Sequence, residues 1–194
     1  MKSNNICKSI CCGCAVCSAI CPVGAILMLE NKRGFQVPVV DEKKCVDCMQ
    51  CQKICNIKND FHNVKNVVIA KHRNEKIYLT SQSGGAFTAI SDLILREDGV
   101  VYGAAIDSNH ELIHMRTTST IERDRMKGSK YVPSYIGDIY ASVESDLKNG
   151  HKVLFTGTPC QVSGILKYVK GKNISQTNLF TIDILCHGVP SILL

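Results

Sequence analysis

The sequence has no tryptophan, and phenylalanine and tyrosine bring its aromatic content to only 6%, so any core must be mainly aliphatic. Its N-terminus, MKSNNICKSICC, has no uninterrupted apolar stretch of signal-peptide length. Nowhere does the chain approach the apolar run that a membrane span requires. A secreted scaffold held by disulfides needs an export signal and an oxidising compartment, and is therefore not expected. Nor is there a block of one charge. The basic residues are mixed with acidic ones, as in KHRNEK and ERDRMKGSK, which reads as solvated surface. With 45% hydrophobic and 21% charged residues, the composition of the 194 residues is globular and not disordered.

Cysteine is in excess. Of 12 cysteines, ten lie within the first 55 residues: Cys7, Cys11, Cys12, Cys14, Cys17, Cys21, Cys45, Cys48, Cys51 and Cys55. In a chain expected to be cytoplasmic, these read as ligands and not as crosslinks. Two runs share one spacing. The first is Cys11-x2-Cys14-x2-Cys17-x3-Cys21, followed by Pro22; the second is Cys45-x2-Cys48-x2-Cys51-x3-Cys55, followed by Asn56. Two-residue gaps let three thiolates from one tight loop reach three irons of a 4Fe-4S cube, while the fourth cysteine serves the other cube. The crossing assigns Cys11, Cys14, Cys17 and Cys55 to one cluster, and Cys45, Cys48, Cys51 and Cys21 to the second. Structural zinc also uses CxxC pairs, but it gives no reason for a third and fourth cysteine in each run. Cys7 and Cys12 fall outside the spacing and are expected to be bystanders. The formal charge of +6 drops to roughly +2 once eight thiolates hold two oxidised clusters, which removes most of the case for nucleic-acid binding.

The composition changes near residue 60. Residues 1–60 form a cysteine-dense segment too small to bury a core without an internal staple. Within it, GAILMLENKRGFQVPVVDEKK predicts a strand, turn and strand, with Ile26, Met28, Val37 and Val39 shielding the clusters. Residues 61–194 show strands alternating with helices: strands at 66–71, 100–106, 112–117, 153–155 and 179–185, and helices at 84–96, 136–147 and from TGTPCQ to about 168. Ser83 is the expected N-cap of the first of these helices. The fold class is thus an α+β ferredoxin-like two-cluster module followed by an α/β domain with a mainly parallel or mixed sheet. The sheet is expected to be incomplete, because the last strand is followed by only nine residues.

Two motifs sit where α/β proteins place chemistry, at the C-terminal ends of strands. Thr156-Gly157-Thr158-Pro159-Cys160-Gln161 opens a helix whose dipole is expected to favour a Cys160 thiolate. Cys186-His187-Gly188 follows the last strand. Cys160, Cys186 and His187 are the catalytic candidates, although a single cysteine of this kind is as often core.

SQSGGAFTAI, GVVYGAA, GSKYVPS, VLFTGTPCQVSG and IDILCHGVPS occur in this order along the chain. Together they resemble the family of coenzyme F-420 (deazaflavin) hydrogenase/dehydrogenase beta subunits, whose bacterial members also carry an N-terminal two-cluster ferredoxin. Relative to that family the chain is expected to be truncated at its C-terminus. The resemblance implies an oxidoreductase subunit with two 4Fe-4S clusters and FAD, working with a redox partner protein or subunit and a small-molecule electron donor or acceptor. It implies a flavin site lined by Ser83, Gly84 and Gly85, by Gly128, Ser129 and Lys130, and by Thr156, Gly157 and Thr158. It also leaves open that Cys160 and Cys186 are cluster ligands. Small residues permit close backbone approach, the SGG turn opens a helix with free N–H groups, and Lys130 could meet a pyrophosphate. The competing reading is a non-catalytic ferredoxin-type carrier with a truncated docking domain.

Overall fold

The computed structural model describes residues 11–55 and 66–191, so the reading of Cys7 lies outside the described residues. The two cysteine runs fold alike. Each bends through two left-handed residues, Gly13 (φ 70°) and Ala15 (φ 60°) in the first, Asp47 (φ 50°) and Met49 (φ 59°) in the second. Each then enters a short helix, α1 (Val16–Ala19) and α2 (Gln50–Ile54). Between α1 and α2, β1 (Ile26–Glu30) and β2 (Gln36–Val40) form the expected antiparallel pair.

The register of that pair corrects the expected shield. Ile26 opposes Val40 and Met28 opposes Pro38, so these residues share one face, while Val37 and Val39 oppose Leu29 and Leu27 on the other. Ile26, Met28 and Val40 pack with Cys17, Cys21 and Cys51, whereas Val39 and Leu27 are exposed. A shift of one residue exchanges the two faces of a strand, and the choice of Val39 over Val40 made that shift.

Beyond the cysteine-rich part come α3 (Glu75–Leu79), α4 (Ala86–Arg96), β3 (Val100–Ile106), β4 (Leu112–Thr117), α5 (Thr120–Asp124), α6 (Ile139–Lys148), β5 (Val153–Gly157), α7 (Pro159–Gly171) and β6 (Leu179–Asp183). The sheet is mixed, in the order β4-β3-β5-β6: β4 is antiparallel to β3, and β3, β5 and β6 are parallel.

Alternate residues of β3 divide the core. Val100 and Tyr102 join Val153 and Phe155 beneath α6 and α7, while Val101, Ala105 and Leu154 face Ile94 and Met126 from the side of α4 and α5. Each such side chain removed from water contributes about 1.5–3 kcal/mol. The cysteine-rich part lies against the outer side of α6 and α7. Cys14, Val16, Ile20 and Ile54 belong to the same apolar cluster as Tyr140, Val162 and Val169. The Tyr140 hydroxyl donates to the Cys14 carbonyl at 2.6 Å, and Lys167 Nζ reaches the Cys55 carbonyl at 3.5 Å.

Three expectations differ from the structure. Residues 66–71 form no strand; Val67, Val68 and Ile69 are exposed, and no neighbouring strand pairs with them among the described residues. An apolar run of this length is compatible with a strand but does not supply a pairing partner. Ser83 does not cap α4; Gly85, at φ 80°, holds that position. β6 is an edge strand, ends at Asp183 and is only partly buried, because it has β5 on one side alone.

Candidate functional site

The crossed pattern of the cysteines is visible in their mutual influence. Cys11 feels the charge of Cys55; Cys17 feels Cys11 and Cys55; Cys51 feels Cys48 and Cys21. Cys55 therefore lies near Cys11 and Cys17, and Cys21 near Cys51, while Cys17 also feels Cys51 of the other set. Burial, followed by this crowding, pushes the Cys17 thiol up to about 12, and burial also raises Cys11 and Cys51. Bound iron supplies the positive charge that turns such thiols into thiolates.

One of the two expected donor sets converges on a single space. Cys21, Cys45, Cys48 and Cys51 all line one cavity, together with Ile26 and Val40. Backbone N–H groups point at sulfur, from Gly13 to Cys11 at 3.4 Å and from Ala25 to Cys21 at 3.2 Å, as suits an anionic cluster. The two groups of cysteines differ in access. Cys48 of the second group is exposed, although Cys51 beside it is buried like Cys14 and Cys17 of the first.

The TGTPCQ segment has a structural account for most of its residues. Thr158 caps α7 in a capping box with Gln161, and Pro159 takes the first helical position. A side chain at Gly157 would come within 2.9 Å of Gln161 Oε1 and 3.2 Å of His114 Nε2. Gln161 Nε2 donates to Ser134 Oγ, which bonds His114 Nδ1 at 2.8 Å; His114 Nε2 lies 3.0 Å from the Thr156 carbonyl.

Cys160 does not behave as expected for a helix N-terminus. Its thiol is pushed upward, first by a hydrogen bond with Cys12 and then by burial, and Thr158 Oγ1 lies 3.1 Å from its sulfur. Cys186 and His187 are exposed beyond β6. Cys12 is the residue whose position the sequence did not reveal: spacing marks it only as a misfit, and its neighbour Cys160 comes from the far half of the chain.

The residues expected to hold flavin come together in part. Ser129 N–H donates to Gln82 Oε1, next to Ser83, and a Cβ on Gly103 would come within 2.8 Å of both Met126 Sδ and Thr156 Oγ1. Their free space and charge are used within the chain, however. A Cβ on Gly84 would sit 2.2 Å from the Ala70 carbonyl oxygen, so this glycine admits backbone of the protein itself. Lys130 Nζ bonds the carbonyls of Arg125, Met126, Lys127 and Gly128 at the end of α5. Gly84 and Lys130 thus do not fit the roles that FAD would give them.

The cysteine-rich loops rest on α6 and α7 of the α/β domain, and residues 10–59 match the 4Fe-4S dicluster domain, which marks an iron–sulfur protein. Residues 150–193 match the family described as the C terminus of the coenzyme F420 hydrogenase/dehydrogenase beta subunit, in agreement with the resemblance carried by the sequence motifs. The chain is similar to an F(420)H(2) dehydrogenase subunit of Methanosarcina mazei, with 23% identity over 91% of this chain and 53% of that protein. It is also similar to the coenzyme F420-dependent sulfite reductase of Methanocaldococcus jannaschii, with 25% identity over 86% of this chain and 26% of that protein. The chain thus spans about half the length of the first relative and about a quarter of the second. No helix among the described residues is long and apolar enough to cross a membrane.

Proposed function

We propose that the chain is an electron-relay subunit, with residues 1–60 as the two-cluster module and residues 61–194 as the α/β domain on which it docks. Cys11, Cys14, Cys17 and Cys55 hold an inner 4Fe-4S cluster against α6 and α7. Cys45, Cys48, Cys51 and Cys21 hold an outer one. The crossed neighbourhood of Cys55 with Cys11 and of Cys21 with Cys51 carries this reading. A 4Fe-4S cluster moves single electrons. The exposed Cys48 end faces a redox partner protein, and the buried Cys14 end faces the α/β domain. One relative bears the name of a dehydrogenase subunit, which favours a partner subunit over independent action.

Clusters and hydride-type substrates must be joined by a converter of one- and two-electron chemistry, and flavin is the usual one. FAD at Ser83, Gly84, Gly85, Gly128, Ser129, Lys130, Thr156, Gly157 and Thr158 is the finer expectation. Because the Ala70 carbonyl crowds Gly84 and Lys130 is held by four carbonyls, this proposal assigns no FAD to the chain. The relay without catalysis is therefore favoured over a self-contained flavoenzyme. Deazaflavin, named in both relatives, becomes the candidate two-electron substrate of the assembled partner complex.

Anaerobic reconstitution with iron, sulfide and FAD, followed by desalting, tests the reading. About eight irons and eight sulfides per chain with less than about 0.1 flavin are expected. Stoichiometric FAD overturns the flavin-free assignment, and bound zinc with little iron overturns the relay.

A further inference from the structure

The β1–β2 ribbon meets both cysteine sets, one at each end. At the end where Ile26 pairs with Val40, those two residues line the cavity that holds Cys21, Cys45, Cys48 and Cys51. At the other end, where Glu30 pairs with Gln36, the ribbon abuts the first cysteine loop. A Cβ on Gly13, between Cys11 and Cys14, would come within 3.3 Å of the Gln36 carbonyl oxygen and 3.9 Å of the Gln36 Cβ. Side chains alternate along a strand, so Gln36 shares a face with Val40, which packs with Cys17, Cys21 and Cys51. The side-chain oxygen of Gln36 is sealed from solvent and has no hydrogen-bond partner among the described residues. Buried polar atoms in that state are rare and call for a partner. A carboxamide keeps its outline when oxygen and nitrogen change places, and its orientation follows the partners present. Turned over, the same buried position holds an N–H, which fits the sulfur acceptors of a cluster in the adjoining loop.

We propose that the Gln36 side-chain amide donates an N–H to a sulfur of the cluster held by Cys11, Cys14, Cys17 and Cys55. The inference rests on the two-cluster reading. Donors to sulfur favour the more negative, reduced form of a cluster and so raise its potential. Gln36 serves one site alone, because the ribbon meets the other with Ile26 and Val40, about 13 Å further along an extended strand. It therefore separates the potentials of two sites whose cysteine spacing is the same.

The natural chain, Gln36→Met and Gln36→Glu are reconstituted anaerobically, and iron and sulfide are counted. Each is then titrated with dithionite while the reduced clusters are followed by electron paramagnetic resonance. Both substitutions keep the length of the side chain and remove the N–H. In Gln36→Met the reduction equilibrium of one cluster should weaken about tenfold, a fall of about 59 mV for a one-electron couple, while the other midpoint stays. Gln36→Glu should lower the same midpoint at least as far. The step that moves should persist in Cys48→Ser, which keeps every cysteine of the first set. Unmoved midpoints in both variants, equal movement of both steps, or movement of the step that Cys48→Ser abolishes overturns the role of Gln36. A natural chain with about eight irons keeps the two-cluster reading in those cases, whereas about four or fewer overturns that reading and the inference together.

Discussion

Acidification provides a sharp test of the α/β domain through His114. Its ring is buried, stacks on Phe155 with centroids 5.3 Å apart, and is hydrogen-bonded at both nitrogens. The Thr156 carbonyl can only accept, so Nε2 carries the proton and Nδ1 accepts from Ser134 Oγ. Ser134 Oγ also accepts from Gln161 Nε2, which leaves poor provision for a second ring proton. Burial is the first cause that lowers this histidine from 6.5 to about 4. Because the folded pKa lies below the unfolded one, the stabilisation is complete above about pH 6.5 and is lost progressively as pH falls toward 4. Linkage over these two values gives a loss of about 2 kcal/mol between about pH 7 and about pH 5. Urea unfolding followed by far-ultraviolet circular dichroism at both pH values measures it. His114→Gln keeps a donor and an acceptor but cannot titrate, so its stability should change little over the same interval. Equal pH dependence in the two chains would refute the neutral, doubly bonded histidine.

Gly84→Ala should destabilise the α/β domain by about 1–3 kcal/mol, because its Cβ meets a backbone oxygen and not a movable side chain; an unchanged urea midpoint would mean that residues 70–72 do not pack on Gly84. Cys48→Ser should halve the bound iron to about four per chain and leave the unfolding midpoint of the α/β domain unchanged. Cys14→Ser should lose iron and also lower that midpoint, since Cys14 is part of the apolar cluster with Tyr140 and Val162; iron analysis and urea unfolding on the same samples separate the two effects.

Local spacing made the cysteine module legible. Two runs with the same intervals imply two similar loops, and the structure gives them matching left-handed residues and matching helices. The α/β alternation was legible for the same reason: each of β3, β5, α4 and α7 shows its period within a short window, and the 112–117 strand pairs with β3 as a hairpin. What failed depended on partners distant in sequence. Residues 66–71 have the composition of a strand but no strand beside them among the described residues. The choice between Val39 and Val40 rests on register, which composition does not encode. Gly84 and Lys130 looked prepared for a ligand because small size and charge are visible in sequence, while the Ala70 carbonyl and the carbonyls of residues 125–128 that use them are not.

The seating of the cysteine module on α6 and α7 bears on how the proposed clusters would be loaded. Cys14 is covered where Val16, Ile20 and Ile54 pack with Tyr140 and Val169, whereas Cys17 and Cys51 are buried within the module itself and Cys48 stays open to solvent. On the proposed assignment, iron and sulfide would reach the set that holds Cys48 more readily than the set that holds Cys14 once the module is seated.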